Sequence, residues 1–201
     1  KGQVDLARLL LGNGAEVDRA ASGLMRTKGQ TPLYVACANG HVAVATLLLD
    51  RGAVVDRAAK NGFTPLWIAC QNGRVDAARL LLDKGADINR ARGDGMTPLH
   101  IACWEDHVAA ARLLLDKGAD VDRAKEDGTT PLFHACLKGH IDAARLLLDN
   151  GAEVDWATKG GFTPLLIACG RGHVDVARLL LEKGAEVDRA LEDGRTPLYI
   201  A

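Results

Sequence analysis

The chain is poor in the side chains that most chemistry requires. Its only serine is Ser22, so a serine nucleophile relay has almost nothing to draw on. No Gly-x-Gly-x-x-Gly opens a helix and no Gly-Lys-Ser/Thr loop occurs, which removes the common nucleotide-phosphate cradles. Charge of one sign is also missing: the formal net charge is −1, with acids and bases interspersed. A basic stripe for nucleic acid or an anionic membrane surface is therefore not expected. No run approaches the roughly 18 apolar residues of a membrane span, and nothing near Lys1 reads as a signal peptide. Aromatics amount to 4% of the chain, which suits helices that pack through Ala, Leu and Val.

What is present is a period. A block beginning Thr-Pro-Leu returns at Thr31, Thr64, Thr97, Thr130, Thr163 and Thr196, every 33 residues. A strict period of this size marks a solenoid, whose units bury their apolar faces only by stacking on one another. Function is then to be sought on a surface built from matching positions of successive units.

One unit shows how the residues dictate the elements. Thr64 is a helix N-cap, and Pro65 suits the first helical position, where its missing N–H would be unpaired anyway. Leu66, Ala69 and Cys70 place one apolar stripe on a short helix, which Asn72-Gly73 ends. A second helix is predicted from Val75 to Asp83, with Val75, Ala78, Leu81 and Leu82 on its buried side and Lys84-Gly85 as its stop. Residues 86–96 carry two glycines and little apolar content, so they are read as a loop or hairpin finger leading to the next Thr-Pro.

Thr-Pro-Leu, Ile-Ala-Cys, Gly-His-Val, Ala-Arg-Leu-Leu-Leu and Gly-Ala-Glu-Val-Asp, as they stand in residues 163–188, closely resemble the ankyrin repeat. The resemblance implies an all-α solenoid of stacked helix-turn-helix pairs with protruding hairpin or loop fingers. It divides 1–201 into one array: a partial repeat with an extended loop at 1–30, full repeats at 31–63, 64–96, 97–129, 130–162 and 163–195, and the start of another at 196–201. Arg74 departs from the usual His, Asp106 from the usual Gly, and His134 from an otherwise aliphatic column. Both ends read as interior units rather than polar caps, so the segment is expected to belong to a longer array or a larger protein.

Cys37, Cys70, Cys103, Cys136 and Cys169 recur once per unit on the first helix. Stacked helices stand about 8–10 Å apart, too far for disulfides or for thiolates sharing one zinc ion. The cysteines are expected to be small buried hydrophobes, and free buried thiols favour an intracellular, cytoplasmic or nuclear setting. His41, His107, His140 and His173 share the position where the resemblance implies an imidazole bracing the turn. His134 is expected to be a buried neutral side chain with a local partner. The carboxylates Asp56, Asp122, Asp155 and Asp188 form a ladder expected to be solvated decoration. Asn89 stands in their column, a position hydroxylated in some ankyrin proteins; Asp/Asn drift at a turn is the plainer account. No catalytic set, cofactor site or metal site emerges, and no enzyme activity is expected.

Binding residues are sought where columns vary while their neighbours stay constant. The position before each Thr holds Phe63 and Met96; the position after Thr-Pro-Leu holds Trp67, His100 and Phe133; four residues on stand Trp104 and Leu137. Residues i and i+4 share a helix face, so Trp67 accompanies Gln71 and His100 accompanies Trp104. In the ankyrin family this face and the fingers line a concave groove that holds partners. Phe63, Trp67, Met96, His100, Trp104, Phe133 and Leu137 are thus the candidate anchors, with Glu105 and Asp106 at the rim. The excess of acid in 97–129 would suit a basic, apolar peptide. A five-residue insertion around Ser22-Gly23-Leu24-Met25-Arg26 is expected to add contact surface.

The expected function is a non-catalytic protein–protein interaction module that binds a protein or peptide, with no nucleic acid, membrane or small-molecule substrate. A structural spacer array and an engineered binder on this scaffold are the competing readings; a spacer predicts uniform polar columns, which these are not.

Overall fold

A computed structural model describes residues 2–22 and 28–201 of the chain. The insertion residues Gly23, Leu24, Met25 and Arg26 lie outside the described residues. Helices alternate between an inner and an outer row. The inner row is α2 (Pro32–Asn39), α4 (Pro65–Gln71), α6 (Pro98–Trp104), α8 (Pro131–Lys138), α10 (Pro164–Gly170) and α12 (Pro197–Ile200). The outer row is α1 (Gly2–Gly12), α3 (Val42–Asp50), α5 (Val75–Asp83), α7 (Val108–Asp116), α9 (Ile141–Asp149) and α11 (Val174–Glu182). No strand occurs among the described residues, so of the two expected forms of the fingers, hairpin or loop, they take the loop form.

Each inner helix starts where the chemistry of Thr-Pro demands it. Thr64 sits in extended conformation (φ −81°, ψ 165°) and its hydroxyl accepts the Trp67 N–H at 3.1 Å, while Pro65 takes the first turn. The same cap recurs at Thr31, Thr97, Thr130, Thr163 and Thr196. The outer helices α3, α5, α7, α9 and α11 have no side-chain cap and are followed by glycines in left-handed conformation, such as Gly85 at φ 86°. That φ would strain any other residue.

The core lies between the rows. Leu33, Leu66, Leu99, Leu132 and Leu165 form one buried column and Leu48, Leu81, Leu114, Leu147 and Leu180 another. Each such leucine contributes about 1.5–3 kcal/mol on burial. Ala69, Ala102 and Ala135, with Cys70, Cys103 and Cys136, are fully buried between them, small enough to let inner helices stack closely. Each inner helix touches the next inner helix, and each outer helix the next outer one.

The carboxylate ladder corrects one expectation. Asp18, Asp56, Asp122 and Asp155 are not mere solvated decoration: each accepts the backbone N–H of Val54, Asp87, Glu153 and Glu186 respectively, at 3.0–3.2 Å, in the next unit. Asn89 does the same with its amide oxygen, accepting from Asp120 N–H at 3.1 Å. The column therefore needs an acceptor rather than a charge, and Asp188, exposed, is the member with no such bond. On the outer row Lys84, Lys117 and Lys183 reach back to Asp50, Asp83 and Asp149 at 2.6–2.9 Å. These pairs are exposed to solvent, which screens them, so they add little to stability.

The fingers are tight turns closed by two backbone bonds apiece, such as Arg92 N–H to Met96 carbonyl at 3.0 Å with Gly95 N–H to Arg92 carbonyl at 2.8 Å, and Lys125 N–H to Thr129 carbonyl at 2.9 Å with Gly128 N–H to Lys125 carbonyl at 3.0 Å. Asp94 and Asp127 tie each turn by accepting the N–H of Met96 and Thr129. Adjacent fingers touch: Lys159 N–H donates to Asp127 carbonyl at 3.0 Å.

Candidate functional site

The candidate residues lie along the ends of the inner helices and the bases of the fingers, and the stack divides them into an inside and an outside. Trp67 is 2% exposed, Phe133 8% and His100 0%, so these three do not offer a face to a partner as expected. The reason is their place in the first helical turn, where a side chain folds back over the helix start and the next unit closes over it. His100 shows this most fully. Its Nδ1 accepts Thr97 N–H at 3.2 Å, completing a capping box, and its Nε2–H donates to Thr129 carbonyl at 3.3 Å. Burial lowers its pKa to about 4, so the ring is neutral.

Phe63, Met96, Trp104 and Leu137 are half-buried, and Glu105 and Asp106 are exposed. Phe63 lies flat on Trp67, with ring centroids 4.0 Å apart and planes 8° from parallel. The Arg92 guanidinium stands 5.2 Å above Phe63 and is gripped by both carboxylate oxygens of Asp94. The guanidinium holds Asp94 down to a pKa of about 2. At Asp127 burial works to raise the pKa, but the bonds from Thr129 and Lys125 outweigh it and bring it to about 2. These finger acids are spent on their own turns, so the acidic surplus of 97–129 is less available to a partner than its composition implies.

Trp104 is held from three sides. His134 meets its ring edge-on at 5.1 Å and 90°, His140 Nε2–H donates to its carbonyl at 3.1 Å, and Lys138 Nζ lies 4.6 Å over its face. His134 is 4% exposed, and burial followed by the charge of His100 lowers its pKa to about 3. Its Nδ1 has no hydrogen-bond partner, contrary to the expected local one. Its neighbours are rings instead: His100 at 5.4 Å, Trp104 and Phe133.

Asp106 occupies the left-handed turn position at φ 58°, where its counterparts Gly40, Gly73, Gly139 and Gly172 have φ from 63° to 77°. Its carboxylate lies 3.8 Å from His140 Nδ1. Two of the turn histidines, His140 and His173, brace the adjacent unit. His173 Nε2–H donates to Leu137 carbonyl at 3.2 Å as His140 does to Trp104, and Arg74 in its altered unit reaches Ala38 carbonyl at 3.4 Å.

Four of the five thiols are fully buried: burial pushes Cys37 and Cys70 up to about 12 and Cys103 and Cys136 further, so these four supply no thiolate, while Cys169 is half-buried and raised less. No metal-holding cluster of His, Cys, Asp or Glu occurs among the described residues. A cleft of about 610 Å³ lies beside α2, lined by Gln30, Pro32, Val35, Ala36 and Val44 among others, and includes none of the candidate anchors. Sequence reasoning missed the Lys138 cover on Trp104 and the Trp156 indole, which donates to Gly128 carbonyl at 3.1 Å. Trp156 stands in a column otherwise held by Arg57, Arg90, Arg123 and Arg189, and that break was the available signal.

The family model described as ankyrin repeats (3 copies) matches residues 1–92, 89–158 and 152–201, which together span the chain. The chain belongs to the ankyrin repeat family. Among solved structures it is similar to the human ASB11 ankyrin repeat domain, at 30% identity and a TM-score of 0.88. The match covers 100% of this chain and 87% of that one. No curated sequence matches it significantly. Ankyrin repeats are in general protein–protein interaction modules and typically non-catalytic. No helix among the described residues is long and apolar enough to cross a membrane.

Proposed function

We propose that this array grips a protein or peptide partner on the face formed by its inner helix ends and finger bases, the concave face of the family. The observation that carries the reading is a row of half-buried apolar side chains, Phe63, Met96, Trp104 and Leu137, on a stack braced unit to unit. Glu105 and Asp106 stand exposed beside it. Rigid aromatic anchors with a polar rim are the usual anatomy of an interface hot spot. The module works without cofactor or catalysis, in an intracellular, reducing compartment that keeps its thiols free.

Affinity capture with three forms of the chain tests this. Trp104→Ala is expected to weaken the captured partner at least about tenfold, the cost of truncating a buried interface Trp, with its thermal unfolding unchanged in midpoint by more than a few degrees. Ala38 already occupies the matching site in another unit. Arg112→Ala and Arg145→Ala, on the outer row, are expected to leave capture intact. The reverse pattern would move the site to the outer face and end this reading.

A further inference from the structure

Two half-buried aromatics on this face carry a cation of their own chain, and the two cations are held differently. Arg92 over Phe63 is fixed by Asp94 through two hydrogen bonds. Lys138 over Trp104 is exposed, and among the described residues it is held by the ring alone. It comes from the neighbouring unit, where it occupies the column that Glu105 holds in its own. An ammonium on a flexible stem that folds back over an indole loses side-chain freedom and gains a weak contact. Such an occupant is exchangeable.

The receiving ring is prepared. His134 packs edge-on against Trp104 and so backs the indole when the cation leaves, while His140 Nε2–H holds the backbone carbonyl at its base. Glu105 follows directly, exposed and without an ion-pair partner among the described residues. An indole followed by an exposed, unpaired carboxylate at the helix end suits guanidinium better than ammonium, because a planar guanidinium stacks on a ring and still has an N–H fork to offer a carboxylate within reach.

We propose that Trp104 and Glu105 form a subsite for one arginine side chain of a peptide segment, and that Lys138 is its intramolecular placeholder. The inference rests on the proposed partner-binding role of this face and names what part of the partner it takes. Arginine enters by displacing the Lys138 ammonium into solvent, stacks on the exposed indole face, and donates to Glu105. The acids of the fingers do not contribute, since Asp94 and Asp127 are tied to their own turns.

The test uses the 201-residue chain with labelled tryptophan and the blocked tripeptides Ala-Arg-Ala and Ala-Gln-Ala as probes. The three indole N–H signals belong to Trp67, Trp104 and Trp156, and the Trp104→Phe variant identifies the one of interest. The arginine peptide is expected to move the Trp104 signal saturably at low salt, with Trp67 and Trp156 still, and the glutamine peptide to move nothing. Lys138→Ala is expected to tighten the arginine peptide about threefold, and Glu105→Gln to weaken it about threefold, the size of one exposed cation–π or ion-pair contact. No movement of Trp104, equal movement with the glutamine peptide, or a Lys138→Ala variant that binds the same or more weakly would overturn the proposal. Its failure is separable from that of the wider reading. If the arginine peptide leaves Trp104 still while Trp104→Ala abolishes partner capture, the subsite is wrong and the face stands. If the peptide binds as expected but capture survives Trp104→Ala, the face is wrong and the subsite stands.

Discussion

Replacing His134 with isoleucine, the residue of four matching positions in other units (Ile68, Ile101, Ile167 and Ile200), should stabilise the array, and more so in acid. At neutral pH the gain has one source. The buried Nδ1 of His134 has no partner, and a buried unsatisfied polar atom costs about 1–3 kcal/mol. Isoleucine removes that cost but gives up the ring contacts to His100 and Trp104, worth about 0.5–1.5 kcal/mol. The net gain near pH 7.5 is about 1 kcal/mol on these figures. Acid adds a second source. A histidine whose folded pKa lies below its unfolded value binds fewer protons when folded. Its contribution to stability is therefore full above the unfolded pKa near 6.5 and falls as pH drops toward the folded value, here about 3. By pH 5 the unfolded chain is favoured by about 2 kcal/mol through this one side chain. His134→Ile escapes that loss, so its advantage over the parent should grow from about 1 to about 3 kcal/mol between pH 7.5 and pH 5. His100, lowered to about 4 by burial, loses stability in the same window in both proteins and cancels from the comparison. Urea unfolding of parent and variant at the two pH values reads the difference directly. An advantage that is the same at both would show that His134 is not neutral and desolvated in the fold, and would refute the reasoning.

Three further outcomes follow from particular contacts. Asp106→Gly should raise stability by about 1 kcal/mol, because the left-handed position at φ 58° strains a Cβ and the His140 contact it gives up is exposed; a lower melting temperature would contradict this. Asp122→Ala should lower stability by about 1–2 kcal/mol by leaving Glu153 N–H without its acceptor, while Asp122→Asn should recover most of it, as Asn89 shows by doing the same task. Native thiol titration with a coloured disulfide reagent should find one fast cysteine, Cys169, which is half-buried, and four slow ones that are fully buried. Two or more fast thiols would mean that the inner helices are not stacked as described.

Local chemistry repeated at a fixed offset determined the architecture. Thr-Pro sets a cap, left-handed Gly sets a stop, and 33-residue spacing sets the stack, so the second helix predicted at Val75–Asp83 is α5 as found. The proposed binding face was legible only in part. Phe63, Met96, Trp104 and Leu137 vary and stay half-buried, whereas Trp67, His100 and Phe133 vary too and yet are buried. Variation within a column does not distinguish a side chain that faces solvent from one that fills the gap left by the next unit. That distinction depends on contacts about 28–36 residues away, such as Lys138 over Trp104 and Thr129 carbonyl on His100. The same holds for the aspartate ladder, whose partners are backbone N–H groups of the following unit and leave no mark on side-chain identity. Sequence alone determined the repeat and its elements because caps and turns are satisfied within a few residues; the tertiary structure decided which side chains remained outside, because only stacking brings one unit's residues onto those of the next.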